Sequence, residues 1–258
     1  GTLTIQNAPG GTDLSAASVT TGTLNLNSKG SVVVANAANV IETLNGVTTG
    51  PVRVVTSGTL AIGAAGLVTT NNDVSLSSGG TLVFNGLVNV GSGTLAMQAA
   101  TIDGSGAGAV VTAGTVNFQV TGGVFLNNPA NQIATVAKTP SSAGGSVFIH
   151  SKTPMTVASG GITTSGGGVG VVNITSDADL RSNRKQDHIG IGHDCIDWRL
   201  FTVSSTGSIS SPSFVDVSAA SQVLVDGSIS GSGDVSITAG TVTVNGSITS
   251  TAGGIVTI

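Results

Sequence analysis

The residues best suited to chemistry crowd into one stretch, 177–201. His188, His193, Asp194 and Cys195 are metal-ligating types, and Cys195 with a histidine could form a nucleophilic pair. The stretch also holds Arg181, Arg184, Lys185 and Trp198, a set suited to an interaction loop on a rigid support. Nine residues here (Asp177, Asp179, Arg181, Arg184, Lys185, Asp187, Asp194, Asp197 and Arg199) come from a chain with only 8 basic and 12 acidic side chains. The spacing matches no standard zinc pattern. His193, Asp194 and Cys195 are consecutive and do not readily converge on one ion. The reading is therefore no metal site, no catalytic residue and no cofactor, with the basic, histidine and tryptophan side chains kept as a possible interaction loop. Three accounts of the stretch stay open. It is a functional insertion, an irregular coil packing Ile189, Ile191, Ile196, Trp198, Leu200 and Phe201 inward (the favoured account), or the product of a local frameshift.

The elements that would carry such a loop are visible in a recurring phrase. Val223-Leu224-Val225-Asp226-Gly227-Ser228-Ile229 is followed by Gly233-Asp234-Val235-Ser236-Ile237. Val242-Thr243-Val244-Asn245-Gly246-Ser247-Ile248 is followed by Gly254-Ile255-Val256-Thr257-Ile258. Leu82-Val83-Phe84-Asn85-Gly86 and Gly93-Thr94-Leu95-Ala96-Met97 repeat the beat. A unit of about 20 residues cannot bury a core alone and must stack on its neighbours. The expected fold is all-β, a right-handed parallel β-helix (solenoid) of roughly 20-residue coils, the hand following from the bias of parallel crossovers. The full length would make about 13 coils and, at about 4.8 Å per coil, a rod roughly 60 Å long. Val, Leu, Ile and Ala point inward, Thr, Ser, Asn and Gln outward, and corner Gly and Asn take positive φ. Phe84, Phe118, Phe125, Phe148 and Phe214 are expected to stack inside.

Composition narrows the function. The chain has 39 Gly, no Tyr, 8% charged residues and a mean hydropathy of +0.40, which argues against disorder. A net charge of −4 without a basic stripe argues against nucleic acid. No apolar run is long enough for a membrane span. Aromatic content of 3% does not supply the girdles of a membrane barrel. A single Cys allows no intrachain disulfide. Both ends fall within the strand phrase, so the expectation is one rod over 1–258, a segment of a longer repeat protein, with 177–201 as an atypical charged insertion or irregular coil. Asp103, Asp216, Asp226 and Asp234 read as turn residues, His150 as a corner or surface residue, and 231–237 as a bland turn rather than a calcium loop.

Asn36-Ala37-Ala38-Asn39-Val40-Ile41-Glu42-Thr43-Leu44 and its echo Asn128-Pro129-Ala130-Asn131-Gln132-Ile133-Ala134 resemble the filamentous-haemagglutinin type of β-helical exoprotein. Gly114-Thr115-Val116 and Gly240-Thr241-Val242 match it as well. The resemblance covers nearly the whole chain outside 177–201. It implies two-partner secretion, an extracellular or bacterial cell-surface location, and roles in adhesion, biofilm or fibre formation. The expected activity is non-enzymatic. The expected partners are other copies or neighbouring repeat segments end to end, and host or matrix glycans or proteins. The alternatives are a self-assembling filament subunit and a β-helical polysaccharide-degrading enzyme.

Overall fold

In the computed structural model the chain is described over residues 1–6, 9–136, 141–158, 162–164, 171–176, 180–181, 200–203, 208–211, 214–218 and 222–258. These residues form parallel strands and no helix. They are stacked as a β-solenoid of roughly 21 residues per turn. Each turn contributes strands to three ladders. One ladder runs through Val32–Val34, Val52–Thr56, Val74–Ser78, Leu95–Gln98 and the Val111–Val120 strand. A second joins Leu60–Ile62, Thr81–Phe84, Thr101–Asp103, Val124–Leu126 and Val147–Ser151. The third includes Gln132–Val136, Met155–Val157 and Leu180–Arg181.

Period-2 alternation builds the core. In the first ladder Val32, Val52, Val74, Leu95 and Val116 are register partners in turn, and all are fully buried. The intervening residues face outward, as pleating requires. Stacking like on like keeps each coil's apolar side chains under those of the next, and each large side chain removed from water contributes about 1.5–3 kcal/mol.

The ladders do not all advance evenly. Ile162 pairs with Ile209, and Val171 pairs with Phe214, steps about twice the usual turn. Between them the third ladder pairs Met155 with Leu180, then resumes as a separate three-stranded sheet, Leu200–Val203, Gln222–Val225 and Thr241–Val244. The coils are thus fewer than a uniform count of about 13 assumes, and the rod is shorter than that count implies.

The corners depart from the simple inward–outward rule. Thr21, Ser28, Thr48, Thr56, Thr69, Ser78 and Ser151 are buried, not outward. They stand where strands turn and leave backbone groups without ladder partners, so their hydroxyls serve those groups. Thr48 Oγ1 donates to Gly50 O at 2.9 Å, and Thr69 Oγ1 donates to Asn72 O at 2.9 Å. Most corner glycines are also needed for a different reason than expected. Among the described residues positive φ is confined to Asn71 and five glycines. Gly79 is not one of them, yet a Cβ there would run into the Ser57 carbonyl oxygen one coil below. Coils spaced at the strand distance leave no room for that carbon. Gly46, at φ 149°, combines both demands, because it sits at a register shift and its Cβ would meet Leu26 Cβ at 2.5 Å.

Phe84 and Phe118 lie in the core as expected. Phe125 and Phe148 do not. They occupy outward positions between buried neighbours and stack on each other, ring centroids 5.7 Å apart at 12°. The Phe214 side chain is outside the described residues.

The two Asn-x-Ala-Asn phrases are corners with the same wiring, each closed by a buried asparagine, Asn39 or Asn131. Asn36 Oδ1 accepts Ala38 N–H at 2.9 Å, and Asn128 Oδ1 accepts Ala130 N–H at 2.9 Å. Asn39 Oδ1 accepts Val19 N–H at 2.7 Å and Asn131 Oδ1 accepts Val111 N–H at 2.8 Å, each reaching to the coil below. Their amides donate back to Val34 O and Leu126 O, at 3.1 and 2.8 Å. Ile41 N–H and Ile133 N–H then donate to Thr56 Oγ1 and Ser151 Oγ in the coil above.

Candidate functional site: a groove on one outer face

Of the residues singled out for chemistry, Arg181 has a described backbone, in the strand paired with Met155 and Thr156. Its side chain lies outside the described residues, as do Arg184, Lys185, His188, His193, Asp194, Cys195 and Trp198. Among the described residues, no group of three or more His, Cys, Asp or Glu side chains is placed to hold a metal ion. The scattered carboxylates bind backbone instead. Asp73 Oδ1 accepts Thr94 N–H at 2.8 Å, and Asp234 Oδ1 accepts Ile255 N–H at 2.8 Å, both from the next coil. Asp103 Oδ1 takes the Ser105 N–H and hydroxyl at 3.1 and 2.7 Å. Asp13 is similar. Hydrogen bonds from the Ser15 side chain and then its backbone N–H hold that carboxyl below its ordinary range.

The groups that do converge lie on the outer side of the first ladder. A concave groove of about 770 Å³ crosses five coils there. Its floor carries the small side chains Ala35, Ser75, Ser77 and Ala96, with half-buried Val55 among them. Gln98, Asn117 and Gln119 line one end and Ala37 the other. Arg53 stands within it, exposed, between buried Val52 and Val54. The Arg53 side chain makes no hydrogen bond or ion pair to the described residues. No carboxylate lines this groove. Asp73 shares with Arg53 a separate, smaller cavity of about 170 Å³.

The depth of the groove comes from local sequence. Outward Ser75, Ser77 and Ala96 in adjacent coils keep the sheet surface low, and Ala35 and Ala37 border it at one end. The register Arg53↔Ser75↔Ala96↔Asn117 places these side chains in one row. The strand pattern alone does not mark this site. The available signal was an Arg at an outward position of an otherwise apolar strand.

Fold and site together define a parallel β-solenoid with a polar, weakly cationic outer groove. Comparison with protein-family models, with curated proteins and with solved structures finds no match.

Proposed function

We propose that the chain is a structural and adhesive rod, secreted or held at a bacterial cell surface, that serves attachment, biofilm or fibre formation. The observation that carries this reading is the coil-on-coil register of fully buried side chains. Such a stack yields a stiff scaffold whose outer rows are evenly spaced, and its usefulness lies in its shape. The resemblance of the Asn36–Leu44 and Asn128–Ala134 phrases to filamentous-haemagglutinin-type exoproteins supports the same reading, with two-partner secretion as the route. The partners proposed are host or matrix glycans or proteins, and further repeat segments end to end. Purified chain should adhere saturably to host-cell or matrix-coated surfaces. Adhesion no greater than that of a globular protein of equal charge would sink the proposal.

A further inference from the structure

We infer that the groove around Arg53 binds an extended, carboxylate-bearing oligosaccharide lying along the rod axis. The inference deepens the adhesive reading by assigning it a ligand class and a site. Five coils at about 4.8 Å each give a track on the order of 20 Å long, suited to a chain molecule rather than a compact metabolite. The lining excludes most alternatives. Without a carboxylate, nothing in the groove holds a cation. With one guanidinium and no basic row, it lacks the charge that a nucleic acid backbone requires. Its floor of Ala and Ser, with one half-buried Val55, presents little apolar side chain to a hydrophobic anchor.

What remains is hydroxyl and amide capacity repeated at coil spacing, plus one exposed guanidinium that the described residues leave unpaired. Ser75, Ser77, Gln98 and Gln119 offer donors and acceptors to sugar hydroxyls. Arg53 presents a planar fork that matches a carboxylate through two parallel N–H···O bonds. The rival acid is occupied elsewhere, because Asp73 Oδ1 accepts Thr94 N–H and borders the other cavity. Rigidity helps, since a groove floored by ladder strands loses little freedom on binding.

The test is titration calorimetry of the full chain with tetragalacturonate and, separately, with neutral galactotetraose. Tetragalacturonate should bind and the neutral tetraose should bind distinctly more weakly. Arg53→Gln should weaken the acidic ligand by about tenfold or more, the loss of a charge-assisted bond. Arg53→Lys should recover only part of that. Lys152→Gln, which removes an exposed charge remote from the groove, should leave affinity unchanged. Circular dichroism confirms that each variant keeps its strands. No binding, equal affinity for the two tetraoses, or an equal loss in Lys152→Gln would overturn the inference. Surface adhesion is assayed in parallel. Adhesion that persists in Arg53→Gln without tetragalacturonate binding would reject this site yet leave the adhesive rod standing.

Discussion

The two Asn-x-Ala-Asn corners are built alike and stand at different corners of the solenoid. Asn36–Asn39 leads out of the first ladder, after Val32–Val34, whereas Asn128–Asn131 leads out of the second, after Val124–Leu126. The same phrase thus makes the same hydrogen bonds whichever ladders it joins. The shared set combines bonds within five residues with one bond to the coil below and one to the coil above. Where the corners differ is in how the work is shared. The Asn39 amide also donates to Val55 O at 3.0 Å, a bond to the coil above with no counterpart at Asn131 among the described residues. Asn128 is buried and donates to Gly106 O and Ala107 O at 2.9 and 3.2 Å, whereas half-buried Asn36 reaches only Ser15 O, at 3.4 Å. One corner is anchored through its second asparagine, the other through its first as well.

The sharpest way to break this comparison is to truncate the second asparagine in each. Asn39→Ala leaves Val19 N–H, Val34 O and Val55 O without their partner in a buried site, at a cost of about 3 kcal/mol or more. Asn131→Ala orphans Val111 N–H and Leu126 O, and should cost about 2 kcal/mol. Denaturant midpoints give the order. Amide exchange gives the location, since Val19 N–H should lose protection in the first variant and Val111 N–H in the second. Equal destabilisation by the two would mean that the Val55 bond contributes nothing.

Truncating the first asparagine should reverse the order. Asn128→Ala removes two donors to part-buried carbonyls and should cost about 1–2 kcal/mol. Asn36→Ala loses one long contact and one turn bond at an exposed site, where water substitutes, and should cost about 0.5 kcal/mol. Equal losses at the two positions would show that the turn bond to Ala38 or Ala130, common to both corners, dominates.

These corners also mark how far the sequence could be read. The solenoid was legible because Val52, Val54, Val74 and Leu76 alternate with polar residues at a repeating offset, and alternation reports directly on which face is buried. That rule says nothing about Thr48, Thr56 or Ser151, which sit where a strand ends and the demand is for backbone partners rather than burial. It likewise placed Phe125 and Phe148 inside, although their neighbours Val124, Leu126, Val147 and Ile149 already held the inward positions of those strands. The groove escapes a strand-by-strand reading because it depends on side chains from five coils falling in rows, Ala and Ser in three of them beside Arg53 and Asn117 in the others. That is a matter of register, which a single strand does not reveal. The cluster at 177–201 drew attention by its composition, and its side chains lie outside the described residues.

The subtlest difference between the corners is a proline. Position 129 is Pro where the first corner has Ala37, and both residues are exposed between their two asparagines. A proline needs a position whose N–H has no partner and whose φ is near −65°. Ala37 N–H makes no hydrogen bond to the described residues, and the Asn36–Ala38 turn bond matches the Asn128–Ala130 bond that already spans Pro129. Ala37→Pro should therefore be accepted without strain and stabilise the chain by about 0.4–1 kcal/mol, by restricting the unfolded state rather than by adding a contact. The reciprocal change, Pro129→Ala, should lose a similar amount. Both changes should leave exchange of Val19 N–H and Val111 N–H unaltered relative to global unfolding, because neither touches the amide clamps. A destabilised Ala37→Pro would show that the two backbones differ at this residue despite their shared bonds, and the corner would then be shaped by the ladders it joins and not by its own sequence.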